Sequence, residues 1–245
     1  MNQIFGWIIK QLFENKDEVQ SMDRKVNLDD ITDGRVYGIN DMVKADCGGC
    51  KGCSACCRGM GNSIVLDPLD INHLVKNTGY TFEQLLVDKI ELNVVEGIIL
   101  PNLRMSGQED ACSFLNQEGR CTIHSYRPGI CRIFPLGRYY EGDSFQYIFQ
   151  IHECKKENKS KIKVKKWIDI DEIKKNERFI LDWHAFVKQM QLRVKHQTNE
   201  LLIKQLNVFL LNQFYIKPYE SEEFYTEFTD RLQLTKNTIQ DNQTQ

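Results

Sequence analysis

Cys47-Gly48-Gly49-Cys50-Lys51-Gly52-Cys53-Ser54-Ala55-Cys56-Cys57 places five cysteines within eleven residues. An unperturbed thiol titrates near about pH 8.5, and thiolates crowded this closely repel one another. A bound cation or an iron–sulfur cluster removes that cost. Cys47, Cys50, Cys53 and Cys56 are each separated by two residues, and Gly48, Gly49 and Gly52 let the backbone wrap tightly and turn amides toward sulfur. Three cysteines at this spacing with a distant fourth is a common way to hold an iron–sulfur cluster. Adjacent Cys56 and Cys57 project in different directions. They serve either two metal centres or one centre with a neighbouring thiol.

Four further cysteines follow at Cys112, Cys121, Cys131 and Cys154. A zinc ribbon would offer a second C-x-x-C pair, and these do not form one. Cys121-Thr-Ile-His124 offers zinc a cysteine and a histidine instead. The opening Met1–Lys10 has neither the basic start nor the small-residue cleavage site of a secretory signal. Nine cysteines in a cytoplasmic chain, where thiols are kept reduced, point to metal or catalysis rather than disulfides. An iron–sulfur cluster, of the 4Fe-4S kind, is the first reading and zinc the alternative.

Outward from the cysteines, the 245 residues fall into three regions. Residues 1–35 read as a polar helical extension ending in the turn-like Asp33-Gly34. Met1–Lys10 suits an amphipathic helix, packed on its own domain or attached to a membrane or partner. Residues 36–170 hold every cysteine and most of the glycines and prolines. Residues 171–245 have no cysteine or glycine and read as helix. The fold class is therefore α+β: a small cysteine-rich metal domain with short strands and helices, plus an α-helical C-terminal extension.

Local signals are legible in the middle region. Asp67-Pro68 starts a helix reaching about Asn77, with Gly79 near its end. Thr81-Phe-Glu-Gln84 resembles a capping box for a second helix to about Ile90. Strand candidates are Ser63–Leu66, Val94-Val95 and Ile98–Leu100 around Gly97, and Phe145–Ile151. In the tail, Phe179, Ile180, Trp183, Phe186, Val187, Met190 and Val194 recur at helical spacing. Leu201–Phe214 is apolar nearly all round, so it must be buried on more than one side or meet a protein partner. Lys217-Pro218 ends it, and Ser221 caps a third helix. The absence of cysteine from the tail suggests a partner-facing element separable from the metal site.

Other chemistry has little support. Net charge is -2, so no nucleic-acid partner is expected. No run is apolar and long enough to span a membrane. Nucleotide-binding G-x-G-x-x-G and G-x-x-x-x-G-K motifs are absent. Met60 stands where a radical S-adenosylmethionine enzyme would need its third cysteine. His73 reads as structural and His152 as a weak ligand candidate; His184 and His196 carry no signal. Seven lysines in residues 155–166 read as a solvated linker. Catalytic residues are unknown.

The sequence resembles the YkgJ-like cysteine-cluster family, the CxxCxxCC zinc- or iron-chelating domain. Cys50-Lys-Gly-Cys53-Ser-Ala-Cys56-Cys57 carries the naming motif, and Ile64-Val-Leu66 and Asp70-Ile-Asn-His-Leu74 its continuation. Cys112-Ser-Phe-Leu115 and Gly119-Arg-Cys121-Thr-Ile-His124-Ser-Tyr-Arg127-Pro128-Gly-Ile-Cys131-Arg132-Ile-Phe134-Pro135 carry the second half. The resemblance covers about residues 47–154. Cys47 lies outside its core motif and ranks below the other eight cysteines as a ligand. Arg127 and Arg132 either offset the charge of a thiolate-ligated cofactor or form surface ion pairs. The family has no agreed general activity. Flagellin lysine N-methylases carry a similar cysteine motif, which implies protein methylation as an alternative to a structural, redox or metal-handling role. A zinc-based interaction module is a further alternative.

Overall fold

The computed structural model describes residues 28–48 and 53–241. The readings made for residues 1–27, and Cys50 itself, lie outside the described residues. A short helix α1 (Leu28–Ile31) leads into β1 (Thr32–Tyr37), followed by β2 (Met42–Asp46). The turn expected at Asp33-Gly34 is instead an irregularity inside β1. Gly34 takes φ 71°, and the pairing register shifts between Thr32 and Val36. Such a bulge uses the left-handed backbone that glycine adopts without steric cost.

Two helices then form where the capping residues predict them. In α2 (Pro68–Thr78) the Asp67 side chain accepts from the Asp70 amide and Asp70 reciprocates, with Gly79 closing the helix at φ 74°. In α3 (Phe82–Asp88) Thr81 and Gln84 make the same reciprocal pair. Next, β3 (Ile90–Val95) and β4 (Ile98–Leu103) form a hairpin turned by Glu96 and Gly97, both at positive φ. Ser63–Leu66 is not a strand, although Val65 bridges Asn102 of β4. A minimal hairpin of β5 (Met105–Ser106) and β6 (Ala111–Cys112) leads to α4 (Gly129–Ile133).

The chain continues through β7 (Leu136–Glu141), β8 (Ser144–Gln150) and β9 (Ser160–Lys163). The alternating Phe145, Tyr147 and Phe149 do make a strand, central in the antiparallel sheet β1-β8-β7. β9 pairs with β2. The lysine-rich 155–166 stretch is therefore partly a strand and the start of α5 (Val164–Ile168), and Val164 and Ile168 are buried. Most of its lysines are exposed, while Val164 is buried in the smaller core and Ile162 packs against it, so a linker reading based on charge missed it.

Three helices complete the fold: α6 (Ile173–Lys195), α7 (Glu200–Leu211) and α8 (Phe224–Asp241). Asn199 caps α7 by accepting from the Leu201 and Leu202 amides. α7 runs on into a wider turn, Asn212–Ile216, that ends before Pro218. Among the described residues no helix is long and apolar enough to cross a membrane.

Two cores hold these elements. The larger joins Leu66, Leu74, Leu85 and Leu100 to Phe179, Phe186, Leu211, Phe214 and Phe228 of the C-terminal helices. Trp183 and Phe214 meet edge to face at 5.0 Å, and Phe179 and Phe228 at 4.6 Å. Fully buried Asn207 on α7 fixes the docking polar groups. Its Oδ1 accepts from the Ile99 amide at 2.6 Å and its Nδ2 donates to the Gly97 carbonyl at 3.0 Å. α6 presses on the same hairpin: a Cβ at Gly97 would lie 2.5 Å from the Val194 side chain. The smaller core gathers Tyr37, Val43, Ala45, Ile133, Leu136, Tyr147, Phe149, Val164 and Ile168.

Candidate metal centre

The cysteines sit on irregular segments that the two cores bring together. Cys57 ends a single tight turn, Ala55–Cys57, closed by its amide donating to the Ser54 carbonyl at 3.0 Å. The next residues are stitched to the β5–β6 turn. Arg58 bridges Ala111 and pairs with Glu109, and the Gly59 amide donates to the Asp110 carbonyl at 2.9 Å. This sets Cys56 and Cys57 near Cys112. Cys121 is fixed against the same segment by its bridge to Leu115 and by Thr122, whose amide donates to the Phe114 carbonyl at 2.9 Å. Cys131 lies on α4, whose first amide, Gly129, donates to Asp70 Oδ1 at 2.8 Å.

Asp70 thus serves two elements at once: it completes the α2 capping box through the Asp67 amide and anchors the turn that carries Cys131. Burial pushes its carboxyl up to about 6, against the pull of those amides and of Arg138. Burial also raises Asp67 well above the usual range. Asp70→Ala would strand the Gly129 and Asp67 amides, at about 1–3 kcal/mol for each unsatisfied group. The expected result is a melting temperature several degrees lower, together with weaker metal retention, as measured by thermal denaturation and elemental analysis. An unchanged melting temperature would refute the anchoring role.

None of the eight described cysteines is in a disulfide. Cys53, Cys56, Cys57, Cys112, Cys121 and Cys131 line one cavity of about 720 Å³. Their thiols influence one another. Cys56 is pushed up by its hydrogen bond with Cys57 and by burial, and pulled down by Arg127. Cys131 is raised by burial first and then by Asp70, Cys112, Cys121 and Cys56. Burial also raises Cys112 and Cys121. Cys47, Cys53, Cys56 and Cys154 line a second, narrow cavity of about 20 Å³. Among the described residues, no three Cys, His, Asp or Glu side chains converge on one point that could hold a metal ion. The sulfurs ring the two cavities instead. The donor chemistry fits a thiophilic metal, because thiolates select zinc and iron–sulfur clusters over harder cations.

The other sequence candidates take varied places. Arg127 lines the large cavity, with Nη1 2.8 Å from the His124 ring and 3.1 Å from the His124 carbonyl. Its charge draws Cys56 and Cys121 down. Arg132 donates to the carbonyls of Ser125 and Asp169, fixing α4 between the preceding turn and the end of α5. His124 also lines the cavity. His73 is half-buried, and burial lowers it. His152 is exposed.

Some cavity residues escaped sequence reading. Tyr140 and His184 stack at 3.8 Å, and both line the cavity with Trp183 and Arg138. Arg138 Nε is buried without a hydrogen-bond partner. His184 lies in a helix whose pattern signals packing alone, and only docking of α6 brings it to the cavity. Asp70 alone left a sequence trace, in the segment Asp70–Leu74.

The fold and its cysteines define an α+β cysteine-cluster protein. Residues 49–167, just under half the chain, match the sequence model of the CxxCxxCC family, described as a "putative zinc- or iron-chelating domain", in agreement with the resemblance carried by the cysteine motif. No curated protein and no solved structure matches the chain.

Proposed function

We propose that the protein holds an iron–sulfur cluster, with zinc as the alternative metal, in a structural, redox or metal-handling role in the cytoplasm. The supporting observation is the large cavity on which cysteines from three separate segments meet. At about 720 Å³ it has ample room for a four-iron cluster. Cys56, Cys57, Cys112, Cys121 and Cys131 are the candidate ligands there. A bound cluster would supply one-electron chemistry or a fixed structural crosslink. Arg127 would temper the negative charge of the ligated thiolates. Protein purified anaerobically after iron-replete expression should be brown and contain acid-labile sulfide. Colourless protein with stoichiometric zinc and no sulfide would refute the cluster.

One feature favours an enzymatic second reading. The cavity extends from the cysteines to Arg138, Tyr140, Trp183 and His184, beyond the space a cluster needs. An organic molecule bound there would lie beside the metal. Calorimetric titration with S-adenosylmethionine tests the methyl-transfer form of this reading, and no heat of binding would count against it. A partner docking on the tail would meet Leu192, Leu201 and Leu202, which are exposed.

A further inference from the structure

One wall of the large cavity carries no cysteine. It is made by one helix and one strand. On α6, Ile180, Trp183, His184 and Val187 all line the cavity. They stand at i, i+3, i+4 and i+7, so they share one helical face. On β7, Arg138 and Tyr140 line it too, two residues apart and therefore on one face of the strand. The two elements meet where the Tyr140 and His184 rings stack, 3.8 Å apart and within 8° of parallel. Neither Leu136–Glu141 nor Ile173–Lys195 contains a cysteine. Ile180, Trp183 and Val187 make this wall largely apolar, and Arg138 sets a permanent positive charge into it. Arg138 is also the group that the wall leaves unsatisfied. Its Nε is buried without a hydrogen-bond partner. Its guanidinium carbon lies 5.6 Å from the Phe145 ring centroid, a contact that holds the group without neutralising it. Asp67 and Asp70 line the same cavity, but backbone amides occupy them. Asp67 Oδ1 accepts from the Asp70 amide, and Asp70 Oδ1 and Oδ2 accept from the Gly129 and Asp67 amides.

We infer that this wall binds a small organic carboxylate, with its acid group on Arg138 and its apolar body along Ile180, Trp183 and Val187. The inference rests on the reading above of the cavity as the seat of an organic molecule, and adds the ligand's chemical class and its anchor. The cavity, about 720 Å³, falls within the range of about 300–1,000 Å³ that takes such ligands. Sites of that kind are mostly apolar, with a few polar groups that fix orientation. Nε and a neighbouring Nη form an edge of the guanidinium that matches the two coplanar oxygens of a carboxylate. The donor without a partner lies on that edge. A neutral ligand would leave the charge uncompensated in an apolar wall, and a cationic one would be repelled by it.

The test is calorimetric titration of the anaerobically purified full chain with phenylacetate, the neutral 2-phenylacetamide and the cationic phenethylamine. Phenylacetate should bind at least about tenfold more tightly than either of the others, the loss expected when a hydrogen bond to a charged group is removed. Arg138→Gln, shown to be folded by its melting temperature, should abolish that preference. A retained preference in the folded variant would overturn the assignment of Arg138 as anchor. Should Arg138→Gln fail to fold, Arg138→Lys takes its place: it keeps the charge, loses the fork and should weaken phenylacetate alone. Equal affinity of the wild type for phenylacetate and 2-phenylacetamide would overturn the carboxylate inference and leave the cavity a site for organic molecules. Should none of the three bind, the organic-molecule reading falls with it.

Discussion

Deletion of residues 171–245 is expected to collapse most of the cysteine domain, not merely to expose a sticky surface. The large core is shared: Leu66, Leu74, Leu85 and Leu100 are buried partly by Phe179, Phe186, Leu211, Phe214 and Phe228. Each such side chain contributes about 1.5–3 kcal/mol by burial. Five together contribute roughly 10 kcal/mol, comparable with the about 5–15 kcal/mol net stability of a whole domain. The truncated chain also loses Asn207, leaving the Ile99 amide and Gly97 carbonyl without that partner. Soluble yield, near-ultraviolet circular dichroism and metal content would all fall. A protease-resistant remnant should survive around Tyr147, Phe149 and Val164, whose core lies within residues 37–168. A soluble fragment with a cooperative melt and full metal content would show that the tail is separable, as its lack of cysteine suggests.

Removal of the metal should produce the second large effect. The cysteine-bearing segments from residue 53 to 61 and from 107 to 135 contain little regular structure, only short turns, the β6 strand and α4. Their order depends on a few backbone bonds and on what the sulfurs hold. Structural zinc sites contribute apparent binding energies of about 10–16 kcal/mol, which count as folding energy. Even a third of the lower figure, at about 2–4 °C per kcal/mol for a chain this size, lowers the melting temperature by about 10 °C. Chelation under reducing conditions, followed by calorimetry and limited proteolysis, tests this. Cleavage should start in the two cysteine segments while the β3–β4 hairpin under α6 and α7 stays protected. An unchanged melting temperature after complete metal removal would mean that the cysteines contribute nothing to the fold.

What could be read from residues alone was local. The helix start at Asp67-Pro68, the capping box Thr81–Gln84, the strands on either side of Gly97 and the break at Pro218 are each fixed by residues close in the chain. The cysteine spacing and motif likewise pointed to the family whose model matches residues 49–167. The alternation in Phe145–Phe149 announced a strand, but not that it would be the middle of three. The lysine stretch concealed β9, because a strand paired on one side can bury few of its side chains and leave the charged remainder in water.

Tertiary structure decided the rest, because it concerns groups far apart in the chain. Asp70 reaches Gly129 only when α2 and α4 are in place. His184 meets Tyr140 only when α6 is docked. Cys47 and Cys154 line one narrow cavity because a strand pair joins residues 42–46 to 160–163. A sequence states how many thiols there are and how closely they follow one another. Which of them share a cavity depends on loop closures over tens of residues. Those closures carry an entropic cost that the burial of two hydrophobic cores helps to offset.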